Sequence, residues 1–428
     1  MDHPAAFVGI DVGTSGLRAC AIDAHERVLA DAAQRLPPPL RSGAAVEQDP
    51  GIWREALHMV LERLARSLHR HKVQRIALDG TSSTLLLCNR EGRPLTPALM
   101  YNDARAADAA EQIAAVAPEN SAARGASSSL AKLLWLRTHY PASDTQVMHQ
   151  ADWLCGLLRG RFDTMDENNA LKLGYDPVQR EWPAWLAELG IETDRLPRVR
   201  PPGTALGALD ARLAQRLGWH HAGITAGTTD STAGFLATGA RTNGTGVSSL
   251  GSTLVLKVLS GQPVFSARHG IYSHRIGHHW LAGGASNSGG AVLRQFFGPC
   301  DIHRYSRLID TRHPTGLDYY PLPAPGERFP VNDPCLQPSL TPRPKSDRVF
   351  FQAILEGIAD IEAEGYQLLH ACGAPALRQV LSVGAGASNR RWTELRRQRL
   401  RVPVLRAGHE QAAFGAARLA LHGTGILG

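Results

Sequence analysis

Residues 7–16 read Phe7-Val8-Gly9-Ile10-Asp11-Val12-Gly13-Thr14-Ser15-Gly16, and a second acidic frame, Ala226-Gly227-Thr228-Thr229-Asp230-Ser231-Thr232-Ala233-Gly234, stands far downstream. Phe7-Val8-Gly9-Ile10 is a short apolar run with β-branched members, the pattern of a buried strand. It ends on a carboxylate, Asp11. Gly13 and Gly16 permit a tight reversal, and Thr14 and Ser15 add hydroxyls beside exposed backbone N–H groups. Leu17 to Asp23 then returns as a second strand. A hairpin whose tip carries backbone donors, hydroxyls and one carboxylate can hold a phosphate chain and its Mg²⁺.

Strands and helices alternate between the two acidic frames, which implies an α/β layer architecture. Val73 to Leu78 reads as a strand ending at Asp79-Gly80-Thr81-Ser82-Ser83-Thr84. Ile52 to His69 carries apolar residues at helical intervals, with Asp49-Pro50 as cap and first-turn proline. Gly244 to Leu256 repeats the opening pattern of strand, small-residue turn and strand, a candidate duplication at the level of fold. Residues 283–290, Gly-Gly-Ala-Ser-Asn-Ser-Gly-Gly, are expected to form neither helix nor strand and to feed a helix that carries Arg294. Pro321 to Pro344 is proline-dense and reads as loop or extended chain. Glu410 to His422 is an amphipathic helix whose alanines allow close packing.

The 428 residues favour two or three domains, and 43% hydrophobic with 20% charged residues is a soluble globular composition. No apolar run approaches the roughly 20 residues of a membrane span, and Met1-Asp2-His3-Pro4 does not open a secretory signal, so a cytoplasmic location is expected. The six dispersed cysteines have no C-x-x-C spacing, which argues against a disulfide scaffold or structural zinc. Neither His220-His221 nor His278-His279 suits a metal, because adjacent side chains do not converge. The net charge of +7 comes from dispersed arginines. Their densest run, Arg390 to Arg401, alternates with Trp392, Leu395 and Leu400 as a solvated amphipathic helix does. Nothing interleaves aromatics for base stacking, so no nucleic-acid partner is expected.

The ordered series of motifs resembles the FGGY family of carbohydrate kinases, within the actin-like ATPase superfamily. Besides the two acidic frames it comprises Tyr101-Asn102-Asp103-Ala104-Arg105, His149-Gln150-Ala151-Asp152-Trp153-Leu154, Asn168 to Asp176, Leu250-Gly251-Ser252-Thr253, Gly326-Glu327-Arg328-Phe329-Pro330 and Gly384-Ala385-Gly386-Ala387-Ser388-Asn389. Within the family the chain is most similar to a compact group associated with D-ribulose phosphorylation. The resemblance implies two actin-like (ribonuclease H-like) domains, residues 1–237 and 238–410, with a catalytic cleft between them, and a C-terminal helix, 411–428, packing back on the first domain.

It also implies roles. Asp230 accepts the proton of the attacking hydroxyl; alone, an Asp before Ser-Thr-Ala-Gly is more often just a helix cap, and the match to the family's second acidic motif reverses that reading. Asp11 holds Mg²⁺, through water, and approaches the sugar, while Gly13, Thr14 and Ser15 approach the transferring phosphate. Gly251, Ser252 and Thr253 meet the phosphate chain of ATP, Gly290 and Arg294 add an anion or ribose site, and Gly384, Gly386 and Asn389 lie against adenine and ribose. Ala385 departs from the glycine often found there.

Gly80, Thr81, Ser82 and Ser83 occupy the sugar loop, together with Asp103. Thr-Ser-Ser replaces the Gln-Met-His of typical xylulose kinases, which points to D-ribulose, with D-xylulose or another pentulose or polyol as the alternative. The partner is a small sugar, and monomer and homodimer both stay open. A non-kinase ATPase would need a peptide-binding domain after Gly384, and a silent sugar sensor would lack Asp230 or Thr14; neither condition is met.

Overall fold

The computed structural model describes residues 3–141 and 144–428. Residues 3–237, 274–277 and 411–428 form one compact unit, and residues 238–273 and 278–410 a second.

The sheet of the first unit has six strands in the order Ala205–Ala208, Gly223–Thr229, Lys72–Gly80, Ala5–Val12, Gly16–Ile22, Val28–Arg35. Ala5–Val12, Gly16–Ile22 and Val28–Arg35 make an antiparallel meander, and Lys72–Gly80 and Gly223–Thr229 join it in parallel. Parallel strands end on the same edge, so Asp11, Asp79 and Thr229 reach one rim of the sheet. Helix Pro50–Ser67 starts where the cap and proline place it: the Asp49 carboxylate accepts from Gly51 N, and Trp53, Leu57, Val60, Leu61 and Leu64 are buried.

Helix Ala412–His422 belongs to this unit. Gly9 and Gly415 explain how close it comes. A Cβ on Gly9 would overlap the Ala413 carbonyl and Ala417 N, and one on Gly415 would overlap the Ala233 carbonyl. A second, five-stranded sheet (Leu40–Ser42, Ala45–Gln48, Ala98–Leu99, Leu85–Cys88, Gln146–His149) and helices Ala107–Val116, Ser129–His139 and Gln150–Arg159 elaborate the unit.

In the second unit the strand pair Thr245–Leu250 and Leu254–Ser260 is continued by His279–Ser286 on one side and by parallel Gln379–Val383 and Val404–Arg406 on the other. This is the first unit's order of meander plus two parallel strands. Gly283 and Gly284 lie inside strand His279–Ser286, a correction to the expectation of an irregular 283–290. The reason is tertiary. A Cβ at Gly283 would overlap the Leu256 carbonyl and one at Gly284 the Phe329 ring, so these glycines are there for packing. Only residues 287–289 remain loop before helix Gly290–Phe296.

The arginine-rich helix Arg390–Leu400 is also less solvated than its pattern suggests. Arg396 is fully buried, with Nε 2.6 Å from Glu362 Oε2 and Nη1 2.9 Å from Ser382 Oγ. The helix is anchored in the core by an ion pair, which hydropathy patterning reads as surface.

Candidate active site

At the rim of the first sheet, Asp11 and Asp79 face each other in register on adjacent strands, and Thr228 is opposite Asp79 on its other side. Asp230 opens helix Asp230–Ala237 directly after strand Gly223–Thr229, with Ser231 N donating to its Oδ1. The register of that strand shifts between Thr225 and Thr228, and a Cβ at Gly227 would overlap the Leu78 carbonyl. A bulge closed by glycine thus re-aims the end of the strand, and with it Asp230. A carboxylate on the first turn of a helix is favoured by the exposed N–H groups there.

Asp79 is fully buried, and neither oxygen accepts a hydrogen bond from an N–H or O–H. Its carboxyl is held well above the usual range by burial and then by the charges of Asp11 and Asp230. Asp11 is pushed up by burial, opposed by a hydrogen bond with Asp79 and by Arg18, whose Nη1 lies 3.6 Å from Asp11 Oδ2. Of the two carboxyls Asp79 is the one held further up, so a proton shared by the pair resides on Asp79 in preference to Asp11. At the hairpin tip Gly13 N donates to Gly16 O, closing the turn and leaving Thr14 and Ser15 part-exposed and exposed.

The 80–84 loop continues from Asp79. Gln150 Oε1 accepts from Thr81 N at 3.0 Å and from Thr81 Oγ1 at 2.8 Å, so the Thr81 hydroxyl is spent internally. The Ser82 and Ser83 hydroxyl oxygens are buried and without a protein partner. Gly80 faces Gln150 Oε1 and Ala151, where a Cβ would sit 3.1–3.3 Å from both.

Deeper in the same unit, Asp166 caps helix Glu167–Ala170 through Asn168 N and Asn169 N, and Asn168 Nδ2 donates to Thr228 Oγ1 at 2.9 Å. Asp103 is also fully buried. It accepts from Val46 N, Arg105 N and Arg105 Nε, and Arg105 reaches Glu47 as well. Both oxygens are engaged in fastening the small sheet, and the expectation that Asp103 also meets the sugar is not carried by these contacts.

The second unit contains a cavity of about 1340 Å³ lined by Gly251, Ser252, Thr253, Gly290, Arg294, Gly386 and Asn389, with Leu293, Phe297, Phe351, Leu355 and Trp392 as apolar walls. The hairpin tip and the glycine loop are bound to each other: Gly290 N donates to Gly251 O and Ala291 N to Ser252 O, and Gly289 leaves no room for a Cβ beside Ser252 and Thr253. Arg294 Nη2 donates to Ser252 Oγ at 2.7 Å. An apolar slot rimmed by backbone amides, a hydroxyl and a guanidinium suits a planar ring carrying an anionic tail.

Two recognised sequence models cover nearly all of this chain: FGGY family of carbohydrate kinases, N-terminal domain, over residues 6–237, and the corresponding C-terminal domain over 246–424. The chain belongs to the FGGY family of carbohydrate kinases. It is a phosphotransferase acting on a sugar hydroxyl. The xylulose kinase of Escherichia coli (strain K12) is 25% identical over 446 residues, covering 97% of this chain and 89% of the relative. That of Bacillus subtilis (strain 168) is 25% identical over 448 residues, covering 98% and 88%. A crystal structure of a xyloylose kinase from Brucella ovis superposes with a TM-score of 0.90 at 26% identity, covering 98% of this chain and 90% of that one. Plasmodium falciparum glycerol kinase with ADP, at 16% identity, shares the fold with a TM-score of 0.85, covering 98% and 90%.

For this kinase the motif pattern marks Asp79 only as a strand end and gives it no site role, although its position one residue beyond an apolar strand run, like that of Asp11, is the available signal. It likewise gives none to Phe297, Phe351 and Trp392, because aromatic residues at helical spacing read as ordinary core. Gly384 is not among the residues lining the cavity; its N–H donates to Glu410 Oε2 at 2.7 Å. Asn389 caps helix Arg390–Leu400, its Oδ1 accepting from Trp392 N, which leaves the amide nitrogen and one lone pair of the oxygen for a ligand.

The chemistry around Asp11 fits Mg²⁺. The charged carboxylates at this rim, Asp11 and Asp230, supply the hard oxygens that Mg²⁺ takes. Among the described residues no three of His, Cys, Asp or Glu form a closed metal cage. Mg²⁺ commonly keeps several waters and binds one or two carboxylates plus substrate phosphates.

Proposed function

We propose that the protein is an ATP-dependent pentulose kinase whose best substrate is D-ribulose, converted to D-ribulose 5-phosphate. Asp230 is assigned as general base. Its carboxylate takes the proton of the substrate's terminal hydroxyl as that oxygen bonds to the γ-phosphorus, and the bond from phosphorus to the β,γ-bridging oxygen breaks to leave ADP. Thr14 and Ser15 are assigned to the transferring phosphoryl group, and the cavity of the second unit to the nucleotide. Mg²⁺, when bound, supplies neutralisation of phosphate charge, and Asp11 is the residue assigned to hold it through water. Asp79, neutral beside it, keeps the Asp11 carboxylate oriented by a hydrogen bond.

The observation that carries the choice of sugar is the pair of buried, unpartnered hydroxyls on Ser82 and Ser83. Short hydroxyl side chains suit a polyol bound through direct or water-mediated hydrogen bonds. D-Xylulose is the second reading, favoured by the names of the relatives at 25% identity. The two pentuloses differ in one hydroxyl configuration, and a misplaced hydroxyl leaves a buried partner unpaired at about 1–3 kcal/mol, roughly 5–150-fold in kcat/KM. An ADP-release assay over ketopentoses, polyols and glycerol at saturating Mg·ATP tests this. D-Ribulose is expected to give the highest kcat/KM, and a clear preference for D-xylulose or glycerol refutes the choice of sugar.

A further inference from the structure

We propose that Lys132 is a positioning residue for sugar recognition, its side-chain nitrogen fixing the crest of the 80–84 loop so that the Ser82 and Ser83 hydroxyls face the substrate. The inference rests on reading that loop as the sugar site. Lys132 lies on helix Ser129–His139, is fully buried, and its Nζ donates to the Ser83 carbonyl oxygen at 2.8 Å. Lysine is almost never fully buried unless paired. Here its direct acceptor is the backbone of the loop.

Ser83 itself sits at φ 68, the left-handed region. Glycine would take that conformation without strain. A serine held there retains a hydroxyl that has no protein partner, so the strained backbone goes with a side chain the fold does not use. The flanks of the loop have their own anchors. Thr81 is fixed by Gln150 and by a 2.5 Å contact with Thr84 Oγ1, and Gln150 N donates to Thr84 O. The carbonyl of Ser83, between those anchors, is held by Lys132. Holding that carbonyl fixes ψ of Ser83, and with it the course of the chain through the loop that carries both hydroxyls, so the lysine governs where they are presented without touching the sugar.

The surroundings of Lys132 fit this role. Burial lowers its ammonium to about 7; Asp103 opposes the shift, Lys172 and Arg105 add to it, and His149 lies within electrostatic reach. A protonated or neutral amine can each donate to a carbonyl, so the contact survives across neutral pH, more strongly in the charged form.

Two measurements on the full-length protein test the proposal. In the sugar-free state, Lys132→Met, which keeps the volume and removes the donor, is expected to speed amide exchange of residues 81–84 about 10-fold or more, with residues 129–139 unchanged. In kinetics, the same variant is expected to raise KM for the best pentulose of the panel about 10-fold while KM for ATP stays within about 2-fold. On a Ser83→Gly background, where positive φ needs no holding, adding Lys132→Met should change sugar KM less than about 2-fold, a non-additivity that general damage does not produce. Unchanged exchange, unchanged sugar KM or additive effects overturn the proposal. If Lys132→Met does not fold, Lys132→Gln, which retains a donor on a shorter arm, is read in the same assays with a smaller expected effect. Failure of both to fold makes Lys132 a scaffold residue and also overturns it. A wild-type protein inactive on every pentulose refutes the proposed substrate instead, and the exchange arm then still decides the role of Lys132 in the loop.

Discussion

Asp152→Asn is expected to stabilise this kinase at neutral pH and to have little effect in acid. Asp152, on helix Gln150–Arg159, is buried with Oδ1 accepting from Asp166 N at 2.9 Å and Oδ2 3.3 Å from His149 Nδ1. Burial pushes its carboxyl up to about 8, burial and then the Asp152 charge push Asp166 up to about 7, and burial holds His149 down at about 4. At pH 7 the folded protein therefore keeps a proton on Asp152 that the unfolded chain, titrating near 3.8, has released. A folded-state value raised above the unfolded one means stability fully present below 3.8 and lost as pH rises through about 8. The slope is about 1.4 kcal/mol per pH unit. From the unfolded value to pH 7 that amounts to an upper bound of roughly 4 kcal/mol, and because Asp152 and Asp166 titrate together the expected gain on removing one is about 1–3 kcal/mol. Asparagine keeps an acceptor for Asp166 N and offers an N–H toward His149 Nδ1. In thermal melts at fixed ionic strength between pH 4.5 and 8, the variant should exceed wild type by roughly 2–8 °C at pH 7, with the difference shrinking toward pH 4.5. An offset independent of pH, or a variant less stable at pH 7, refutes the reasoning.

Asp230→Asn should leave melting and nucleotide binding intact while kcat falls roughly 10²–10⁴-fold; near-normal kcat in a folded variant removes Asp230 as base. Asp11→Ala should weaken the Mg²⁺ dependence of turnover as well as its rate, and an unchanged Mg²⁺ titration with unchanged activity sinks that assignment. Arg294 is exposed and steadies the Ser252 hydroxyl, so Arg294→Ala should raise KM for ATP several-fold without moving KM for the sugar, read by initial rates with each substrate varied in turn.

The strand–hairpin at Ala5–Ile22, the capped helix at Pro50–Ser67, the repeated hairpin at Thr245–Ser260 and the last helix were legible because local signals agreed with packing: β-branched runs, Asp-Pro at a helix start and small residues at a close crossing. Gly283 and Gly284 were misread because glycine signals a break locally, whereas here it answers the Leu256 carbonyl and the Phe329 ring, far away in sequence. Arg396 was misread for the converse reason, its partner Glu362 lying on another helix. Asp11, Asp230 and Ser252 could be picked out as strand-end residues in small-residue frames. The occupied oxygens of Asp103 could not, since Val46 N, which donates to one of them, belongs to a strand of the small sheet 57 residues away in sequence.

The shared topology of the two sheets accounts for how one strand pattern serves two kinds of chemistry. In the first sheet, the in-register ends of the opening strand and its parallel neighbour are Asp11 and Asp79, and the next parallel strand runs straight into Asp230. In the second, the corresponding pairs are Ser248 with Ser382 and Ser249 with Val383, and the chain beyond them is Gly251-Ser252 and Gly384. Carboxylates clustered at a strand-end rim can take up a proton or hold a cation, but repel a bare anion. At the second rim the strand ends themselves carry no carboxylate: Ser248 donates to Glu362 and the Gly384 N–H to Glu410, while the Ser252 hydroxyl, held by the Arg294 guanidinium, can meet an anion. The same arrangement of strands thus yields a rim whose strand ends are carboxylates, suited to activating a hydroxyl, and one whose strand ends are uncharged, suited to receiving phosphate. The residue at each strand end decides which.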